Sequence, residues 1–281
     1  MALFFQMPDH FLCGEHKIDL TIPRIMGIVN VTPDSFSDGG KYDSTDLAVQ
    51  HALELVAEGA DILDIGGEST RPHASPVSLE EELRRVIPVI QLLKQETHVP
   101  LSIDTYKPEV MQQAMKAGVD MINDVRALQE PSGIETVADS QVGVCLMHMQ
   151  GTPQTMQIDP QYEDVVIEVK DFLKRRLDVL LTAGVDQQRI MLDPGFGFGK
   201  RTVHNIMLLR SLHTFTELGC PILVGLSRKS ILGQMVGADV DQRLHASLAA
   251  SVVSAMKGAS FVRVHDVKAT AEAFKVLSAI M

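Results

Sequence analysis

The sequence predicts a single-domain (β/α)8 barrel. Eight short apolar runs recur along the chain, and amphipathic stretches with helical spacing separate them. Eight β–α units in about 250 residues match the size and rhythm of that barrel. An open doubly wound sheet is the competing architecture, but it usually has fewer strands and a nucleotide signature that this chain lacks. We expect residues 24–281 to form the barrel and residues 1–23 to cover its bottom.

The predicted strands follow one another in a regular series. In chain order they are RIMGIVN (24–30), DILDIGG (61–67), PLSIDT (100–105), DMINDV (120–125), VGVCLMH (142–148), RIMLDPG (189–195), PILVGLS (221–227) and SFVRVHD (260–266). No linker, short-period repeat or low-complexity tract interrupts the series, so no domain boundary is predicted within it.

Two of the intervening stretches show the helical pattern clearly. In the first, Val49, Ala52, Leu53 and Val56 share one predicted face, and Gly59 suits the end of the helix. The second has a longer apolar stripe and ends at Gly184. Its members are Val169, Phe172, Leu173, Leu177 and Leu180.

Composition bounds the possible functions. The 281 residues are 45% hydrophobic and 22% charged, which is typical of a soluble globular protein. The formal net charge of −11 argues against nucleic acid or an anionic membrane as partner. Three widely spaced cysteines indicate a reducing compartment, and neither a secretory leader nor a membrane span is recognisable. We expect a cytoplasmic protein.

The segment DPGFGFGK (193–200) resembles a phosphate-binding loop but fails both common patterns. A P-loop needs Gly where Pro194 stands and Ser or Thr where Arg201 stands. The dinucleotide pattern needs a third Gly where Lys200 stands. The segment therefore needs another role, which its place in the fold decides.

Polar side chains gather where the predicted strands end. Because active sites of such barrels lie at the carboxyl ends of the strands, these residues are the candidates for function. They are Asn30, Asp64, Glu68, Arg71, Asp104, Asn123, His148, Asp193, Ser227, Arg228, Lys229, Arg263 and His265. A carboxylate buried inside a strand, such as Asp64 or Asp104, needs a partner or a ligand to offset its desolvation.

The basic members of this set predict an anion site. Arg263 and His265 are two positions apart on one strand, so their side chains point to the same side. Such a pair repels unless an anion lies between its members, and the helix N-termini at the same mouth add positive potential. Arg71, Arg228 and Lys229 complete the group. A phosphate-like ligand is favoured over salt bridges to Asp64 or Glu68, which remain the alternative.

Asp104, Asn123 and Asp193 form a second group. Carboxylates beside an amide match the adjacent N–H groups of a 2-amino-pyrimidinone. No spacing typical of a transition-metal site occurs in the chain. A Mg²⁺ ion held mainly by phosphate oxygens would leave little trace in a sequence.

Six segments together resemble the dihydropteroate synthase family. They are GIVNVTPDSFSDGG (27–40), DIGGESTRP (64–72), CLMHMQG (145–151), DPGFGFGK (193–200), GLSRKS (225–230) and RVHDV (263–267). The resemblance runs from about residue 24 to the C-terminus. It implies a (β/α)8 barrel that forms homodimers. It also implies condensation of 6-hydroxymethyl-7,8-dihydropterin diphosphate with 4-aminobenzoate, giving 7,8-dihydropteroate and diphosphate.

The resemblance also implies roles for individual residues. Asp104, Asn123 and Asp193 would hold the pterin edge with Lys229, and Asn30 would be the protein ligand of Mg²⁺. Thr70, Arg263 and His265 would bind the diphosphate. The aminobenzoate pocket would be formed by Phe36, Arg71, Pro72, Phe198 and Ser227. Asp38 would balance positive charge that develops during the reaction.

One residue departs from the family pattern. His73 stands where the family commonly has Gly after STRP. The change removes no contacting group, so we expect activity to survive it.

Two other functions share parts of this pattern. A pterin-dependent methyltransferase domain has a similar barrel and pocket but has no need for the SFSDGG and STRP loops. A pterin-binding module without catalysis would be expected to lose Arg263, His265 or Lys229, and all three are present.

Overall fold

A computed structural model describes residues 8–32, 44–69 and 74–280. The described residues contain ten strands. They are β1 (His10–Cys13), β2 (His16–Asp19), β3 (Arg24–Asn30), β4 (Ile62–Gly66), β5 (Leu101–Asp104), β6 (Met121–Asp124), β7 (Gly143–Met147), β8 (Ile190–Asp193), β9 (Leu223–Val224) and β10 (Phe261–Val264).

Eight of these strands close into a parallel barrel. The order in the sheet is β8-β7-β6-β5-β4-β3-β10-β9, which is the chain order read around a ring. The ring closes between β8 and β9, where Leu192 bridges to Ile222 and its N–H donates to the Pro221 carbonyl at 2.9 Å. The predicted (β/α)8 barrel is confirmed, and the strand order never reverses as it would in a doubly wound sheet.

Helices surround the barrel. Those described are α1 (Ser44–Glu58), α2 (Leu79–Glu96), α3 (Pro108–Ala117), α4 (Gly133–Ala138), α5 (Val165–Thr182), α6 (Thr202–Arg210), α7 (Ser230–Val236), α8 (Leu244–Met256) and α9 (Val267–Ile280). No helix in these described ranges is long and apolar enough to cross a bilayer.

The predicted helix faces are partly correct. On α5 the inward stripe runs through Val169, Leu173, Leu177 and Leu180, as the spacing predicts, while Phe172 flanks it half-buried.

On α1 the predicted face is wrong by one position. Ala48, Ala52 and Leu55 are buried, and Val49, Leu53 and Val56 are only half-buried. Ala52 is buried as predicted, and the larger Val49, Leu53 and Val56 lie at the edge of the buried face, still packed against the core.

The barrel interior changes from apolar to polar along each strand. Near the amino ends an apolar layer fills it: Met26, Ile62, Met121, Cys145, Met191, Leu223 and Phe261. Two positions further along four of these strands stand Asp64, Asn123, Asp193 and Arg263. Because side chains on a strand alternate between faces, these polar residues also project inward, toward the carboxyl ends.

The hairpin β1–β2 lies against the apolar end of the barrel. Phe11 and Cys13 are fully buried in the same cluster, and the Phe11 ring meets the Phe261 ring edge-on at 5.8 Å. Access to the barrel interior is therefore from the polar end. The division of the chain at residue 23 stays a prediction.

Candidate active site

The described site residues lie at or just beyond the carboxyl ends of the barrel strands. Asn30, Asp104 and Asp193 are the last residues of β3, β5 and β8. Asp64, Asn123 and Arg263 precede the ends of β4, β6 and β10. Phe198, Ser227, Lys229 and His265 lie in the loops that follow β8, β9 and β10. Outside the described residues lie Phe36, Asp38, Thr70, Arg71, Pro72 and His73.

Arg263 is the centre of a buried ion-pair network. Its Nε donates to Asp64 Oδ2 at 2.6 Å and its Nη2 to Asp104 Oδ2 at 3.0 Å. The Asn123 amide donates to the same Asp64 oxygen at 3.0 Å. The arginine side chain stays 21% exposed while Asp64 is fully buried, so part of the cation remains accessible although its nitrogens bond buried carboxylates. One cation therefore links β4, β5 and β10.

Each of these two carboxylates keeps one oxygen without a partner. Asp64 Oδ1 and Asp104 Oδ1 are buried and accept no hydrogen bond from any described residue. A buried acceptor left unpaired costs about 1–3 kcal/mol or more. The arrangement suits a ligand that brings N–H donors to this end of the barrel.

Burial sets the charge state of the carboxylates. Burial raises the pKa of Asp104 to about 7; Arg263 opposes this rise and Asp64 adds to it. Burial also raises the pKa of Asp193, against the pull of Lys229 and a hydrogen bond from the Gly195 N–H at 2.7 Å. Both groups therefore hold a proton more tightly than an exposed aspartate does, and Asp104 titrates near neutral pH.

Lys229 faces the same chamber from the loop after β9. Its Nζ donates to the Phe196 carbonyl and lies 4.6 Å from the centre of the Phe198 ring. Burial lowers its pKa to about 8, with Asp193 opposing the change. The ammonium is thus held near a carboxylate and an aromatic face, and it loses its charge just above neutral pH.

Ser227 and His265 form a pair at the rim. The Ser227 hydroxyl lies 3.0 Å from His265 Nδ1 and accepts the His265 backbone N–H at 3.2 Å. A hydroxyl that accepts from the backbone is free to donate to Nδ1, which favours the tautomer with a proton on Nε2. Ser227 therefore orients a histidine donor.

Two members of the predicted polar group turn away from the chamber. Arg228 pairs with Asp266, its Nε donating to Oδ2 at 3.0 Å, and it is not part of the Arg263 network. Its positive φ of 56° redirects the side chain, which strand alternation does not predict. The Glu68 Oε2 atom accepts a hydrogen bond from Lys107 Nζ at 2.5 Å. The inclusion of Arg228 among the anion-binding residues is therefore wrong in this structure.

The loop 193–200 does not present an anion cradle. The Gly195 N–H donates to Asp193, the Gly197 N–H to Asn205 Oδ1 at 2.7 Å and the Phe198 N–H to the Gly195 carbonyl at 3.1 Å. Backbone donors engaged in this way are not available to a phosphate. The rejection of a phosphate loop from the sequence agrees with this geometry.

The donors available for a metal are few. The described residues contain no cluster of three or more His, Cys, Asp or Glu side chains arranged around a common point. Asn30 remains the candidate, and a Cβ built on Gly66 would lie 3.9 Å from its Oδ1 and 3.7 Å from Asp104 Cβ. An amide oxygen at the rim fits a hard cation such as Mg²⁺ that takes its other ligands from phosphate and water.

Sequence reasoning undervalued Asp64 and Lys200. The sequence identifies Asp64 only as a buried carboxylate and as an alternative salt-bridge partner of the basic group; that salt bridge forms with Arg263, and Asp64 also bonds Asn123. The feature of the sequence that could have indicated this role is a carboxylate at an inward-facing position of an apolar strand. Lys200 is a buried lysine whose partners include His148. In the sequence it stands out only as part of the segment 193–200 that resembles a phosphate-binding loop.

The fold and this chamber define a class of protein. A (β/α)8 barrel whose mouth combines buried carboxylates, an amide, an arginine and a lysine is suited to a small polar heterocycle that carries an anionic group. Comparisons with known proteins place the chain within that class. A family model described as pterin binding enzyme matches residues 26–265.

Individual relatives agree over nearly the whole chain. The dihydropteroate synthase of Escherichia coli strain K12 is 50% identical over 265 residues, 94% of each chain. A Xanthomonas albilineans dihydropteroate synthase structure with 4-aminobenzoic acid superimposes with a TM-score of 0.93 at 52% identity, covering 97% of this chain and 98% of that one. A structure of the X. albilineans enzyme in complex with 7,8-dihydropteroate gives a TM-score of 0.89 at 50% identity, covering 96% and 98%. The chain belongs to the pterin-binding enzymes and, among them, to the dihydropteroate synthase family.

Proposed function

We propose that this protein condenses 6-hydroxymethyl-7,8-dihydropterin diphosphate with 4-aminobenzoate, forming 7,8-dihydropteroate and diphosphate. The observation that carries the proposal is the Arg263 network, in which a partly accessible arginine bonds two buried carboxylates with unpaired oxygens. This arrangement offers acceptors to a heterocycle and a cation to a leaving group at one point. The family of the chain supports the same reaction.

The pterin would bind by its donor edge. Asp104 and Asp193 would accept its N–H groups, and Asn123 would complete the edge as an amide that can donate and accept. Lys229 would reach the heterocycle from the loop after β9. Asp104, Asn123 and Asp193 are 9%, 4% and 6% exposed, so their hydrogen bonds form away from bulk water, where they discriminate most strongly.

The diphosphate would lie above Arg263 and beside His265. Bond breaking between the exocyclic methylene carbon and the diphosphate oxygen sends the electron pair to the leaving group, and these two donors stabilise the charge that develops there. Thr70, outside the described residues, would add a hydroxyl donor. The electron-rich dihydropterin carries the positive charge left on the methylene carbon.

The amine of 4-aminobenzoate then attacks that carbon. Its lone pair forms the new C–N bond, and the nitrogen passes a proton to the released diphosphate to give the neutral secondary amine. Phe198 and Ser227 would flank this substrate, and Phe36, Arg71 and Pro72 would close over it. Asp38 would balance the positive charge. An experiment that follows positional exchange of the diphosphate oxygens without aminobenzoate tests this order of steps. Exchange would support bond breaking before attack, and no exchange would favour a concerted displacement.

Mg²⁺ is the proposed cofactor, with Asn30 as its protein ligand. Bound there with diphosphate oxygens, it would supply Lewis-acid stabilisation of the leaving group. We expect Asn30→Ala to raise the Mg²⁺ concentration for half-maximal activity about tenfold, because one of about six oxygen ligands is lost. Activity titrated against Mg²⁺ measures this, and an unchanged titration curve assigns the ion to other ligands.

Pterin binding should depend on pH through Asp104. An ionised carboxylate accepts both N–H groups of the pterin edge, whereas the protonated form accepts less well. With a pKa of about 7 for Asp104 in the free protein, affinity for 6-hydroxymethyl-7,8-dihydropterin, which has no phosphate to titrate, should weaken up to tenfold per pH unit below 7. Calorimetric titration between pH 5.5 and 8 measures this. An affinity that does not change over that range contradicts the assignment.

The raised pKa of Asp104 also makes the free energy of unfolding depend on pH. Because the folded protein binds the Asp104 proton more tightly than the unfolded chain does, this group favours folding below pH 4. That contribution is lost as the pH rises from about 4 through about 7.

A homodimer is proposed as the assembled form. Exposed apolar side chains recur on the adjacent helices α6, α7 and α8 and support an interface there: Val203, Met207, Met235, Val236, Val253 and Met256. Sedimentation equilibrium at micromolar concentration tests this, and a monomer that persists at such concentrations rejects it.

A cytoplasmic location is proposed from the acidic composition and the buried cysteines, Cys13, Cys145 and Cys220. Cell fractionation tests it, and recovery of the protein from a secreted or membrane fraction would contradict it.

The proposed function is tested in cells that lack their own dihydropteroate synthase. Expression of this chain should restore growth without added folate products, and the Arg263→Met variant should not. Failure of the soluble, expressed wild-type chain to restore growth would reject the proposal.

A further inference from the structure

Lys200 is a buried lysine that the proposed chemistry does not use. It is 3% exposed, and the ion pairs among the described residues do not include it. Burial lowers the pKa of Lys200 well below its usual value, with Asp193 opposing the change. The Lys200 Nζ lies 2.8 Å from His148 Nδ1, 2.8 Å from the Gly195 carbonyl and 3.0 Å from the Phe198 carbonyl. A buried polar nitrogen is costly unless its N–H groups find acceptors, and four acceptors surround this one, the fourth being the His148 carbonyl at 3.3 Å.

His148 fits the role of acceptor. Burial, reinforced by the nearby Lys200, lowers the His148 pKa to about 2, so the ring is neutral at physiological pH. A neutral imidazole with an unprotonated Nδ1 accepts a hydrogen bond from an N–H group of Lys200 Nζ. The Phe172 ring packs edge-on against His148 at 4.9 Å and limits its rotation. The contact therefore ties the end of β7 to the loop after β8.

The loop fixed by Lys200 is held by side chains along its length. The Phe196 carbonyl accepts from Lys229 and the Gly197 carbonyl from Gln157 at 2.6 Å. The Gly199 carbonyl accepts from Tyr162 at 2.8 Å and the Lys200 carbonyl from Asn205 at 3.1 Å. With the two carbonyls held by Lys200, six consecutive carbonyls from residue 195 to residue 200 accept side-chain hydrogen bonds.

These hydrogen bonds are needed because the three glycines of the loop allow its backbone many conformations. Gly195, Gly197 and Gly199 have φ values of 71°, 82° and 63°, a region glycine enters and leaves readily. Gly195 also packs so closely that a Cβ would lie 1.8 Å from the His148 carbonyl oxygen. Lys200 holds a carbonyl on each side of Phe196 and Gly197. Its loss would free the segment that presents the Phe198 ring and the Phe196 carbonyl to Lys229.

We propose that Lys200 is a positioning residue whose Nζ, bonded to His148, Gly195 and Phe198, fixes the geometry of Phe198 for the second substrate. The inference rests on the proposed condensation with 4-aminobenzoate. Asp104 and Asn123 belong to β5 and β6 and make no contact with this loop among the described hydrogen bonds. Asp193 and Lys229 do bond this loop, through the Gly195 N–H and the Phe196 carbonyl. We therefore expect the larger effect of Lys200 at Phe198, on the aminobenzoate side, and a smaller one at the pterin edge.

The test uses Lys200→Met, which keeps the length of the side chain and removes the Nζ donor. We expect KM for 4-aminobenzoate to rise at least tenfold and kcat to fall, while the dissociation constant of the pterin diphosphate changes less than about threefold, since two of its edge residues are untouched. Hydrogen exchange of a peptide covering residues 193–200 should accelerate in the same variant.

Lys94→Met is the matched control. Lys94 is also a lysine with hydrogen-bonded Nζ, here to the Asp120 carboxylate at 3.0 Å, but that pair lies beside the hairpin end of the barrel. Lys94→Met should lower the melting temperature and leave all kinetic constants within twofold of the wild type. If Lys200→Met gives the same pattern as Lys94→Met, with an unchanged KM for aminobenzoate, the positioning role is rejected.

Two further outcomes remain informative. If Lys200→Met does not fold, Tyr162→Phe removes the donor to the Gly199 carbonyl alone, and KM for aminobenzoate should rise about threefold; an unchanged KM then rejects the inference. If the wild-type protein has no condensation activity, the proposed function fails instead. The exchange experiment then decides whether Lys200 fixes the loop, and equal exchange rates in the variant and the wild type overturn that as well.

Discussion

Arg263→Met should reduce kcat/KM for the condensation by at least about 10³-fold, the range seen when a preorganised donor to developing charge is removed. The substitution deletes the cation above which the leaving group would lie. It also removes the two Arg263 donors, Nε at 2.6 Å from Asp64 Oδ2 and Nη2 at 3.0 Å from Asp104 Oδ2. Steady-state kinetics with both substrates, beside calorimetric binding of the pterin diphosphate, measures the loss.

The stability of this variant carries a second expectation. Breaking a buried ion pair by removing one partner typically costs about 3–5 kcal/mol, because a charge is left buried and unpaired. Asp104 can relieve this by taking up a proton, so the free energy of unfolding should recover as the pH falls. Denaturant titration at pH 5.5 and pH 8 reports the difference.

Arg228→Met supplies the comparison. Arg228 is also an arginine at a strand end of the barrel, but it is paired with Asp266 and is 41% exposed. Its removal should change kcat/KM less than about threefold, as expected for an exposed ion pair outside the chamber. Equal losses in the two variants would mean that the anion site is formed differently from the geometry described.

Asp104→Asn should weaken binding of the dihydropterin about 10²-fold at pH 8. The substitution keeps the shape of the side chain and removes the charge that accepts N–H donors, and two hydrogen bonds to a charged group are each worth about 1.5–3 kcal/mol. It should also abolish the acid-side pH dependence of binding, since the titrating group is gone. Calorimetric titration of the phosphate-free pterin measures both effects.

Asp124→Asn is its matched control. Asp124 follows Asn123 on β6 and is fully buried, but its oxygens accept the backbone N–H groups of Arg126 at 2.7 Å and Leu128 at 2.8 Å. Its loss should lower stability through the loop after β6 and leave pterin affinity within threefold. A loss of affinity in Asp124→Asn equal to that in Asp104→Asn would show that general destabilisation, not the pterin edge, explains the effect.

The sequence was informative wherever strand geometry decided the position of a side chain. Asp104, Asn123, Asp193 and Arg263 were predictable at the mouth because the barrel and its two-residue alternation fix which residues point inward. The strand bounds agree with the predicted runs to within two residues, except for the short β9 (Leu223–Val224). The apolar runs and the barrel period together therefore placed most of the chamber.

It was less informative where the backbone leaves regular structure. The positive φ of Arg228 sends its side chain to Asp266, and no local pattern announces that turn. Lys200 and His148 are 52 positions apart, and their contact depends on how two loops pack. The α1 face was misplaced because the spacing alone does not tell which apolar residues lie at the centre of the buried face and which at its edge.

The central claim is that one chamber binds the pterin diphosphate and joins it to the amine. Diphosphate release by the purified protein with Mg²⁺, measured with and without 4-aminobenzoate, tests this most directly. The account predicts release that depends on aminobenzoate, with 7,8-dihydropteroate formed in equal amount. Tight pterin binding without any diphosphate release in the presence of aminobenzoate would contradict it and leave a pterin-binding protein with a different function.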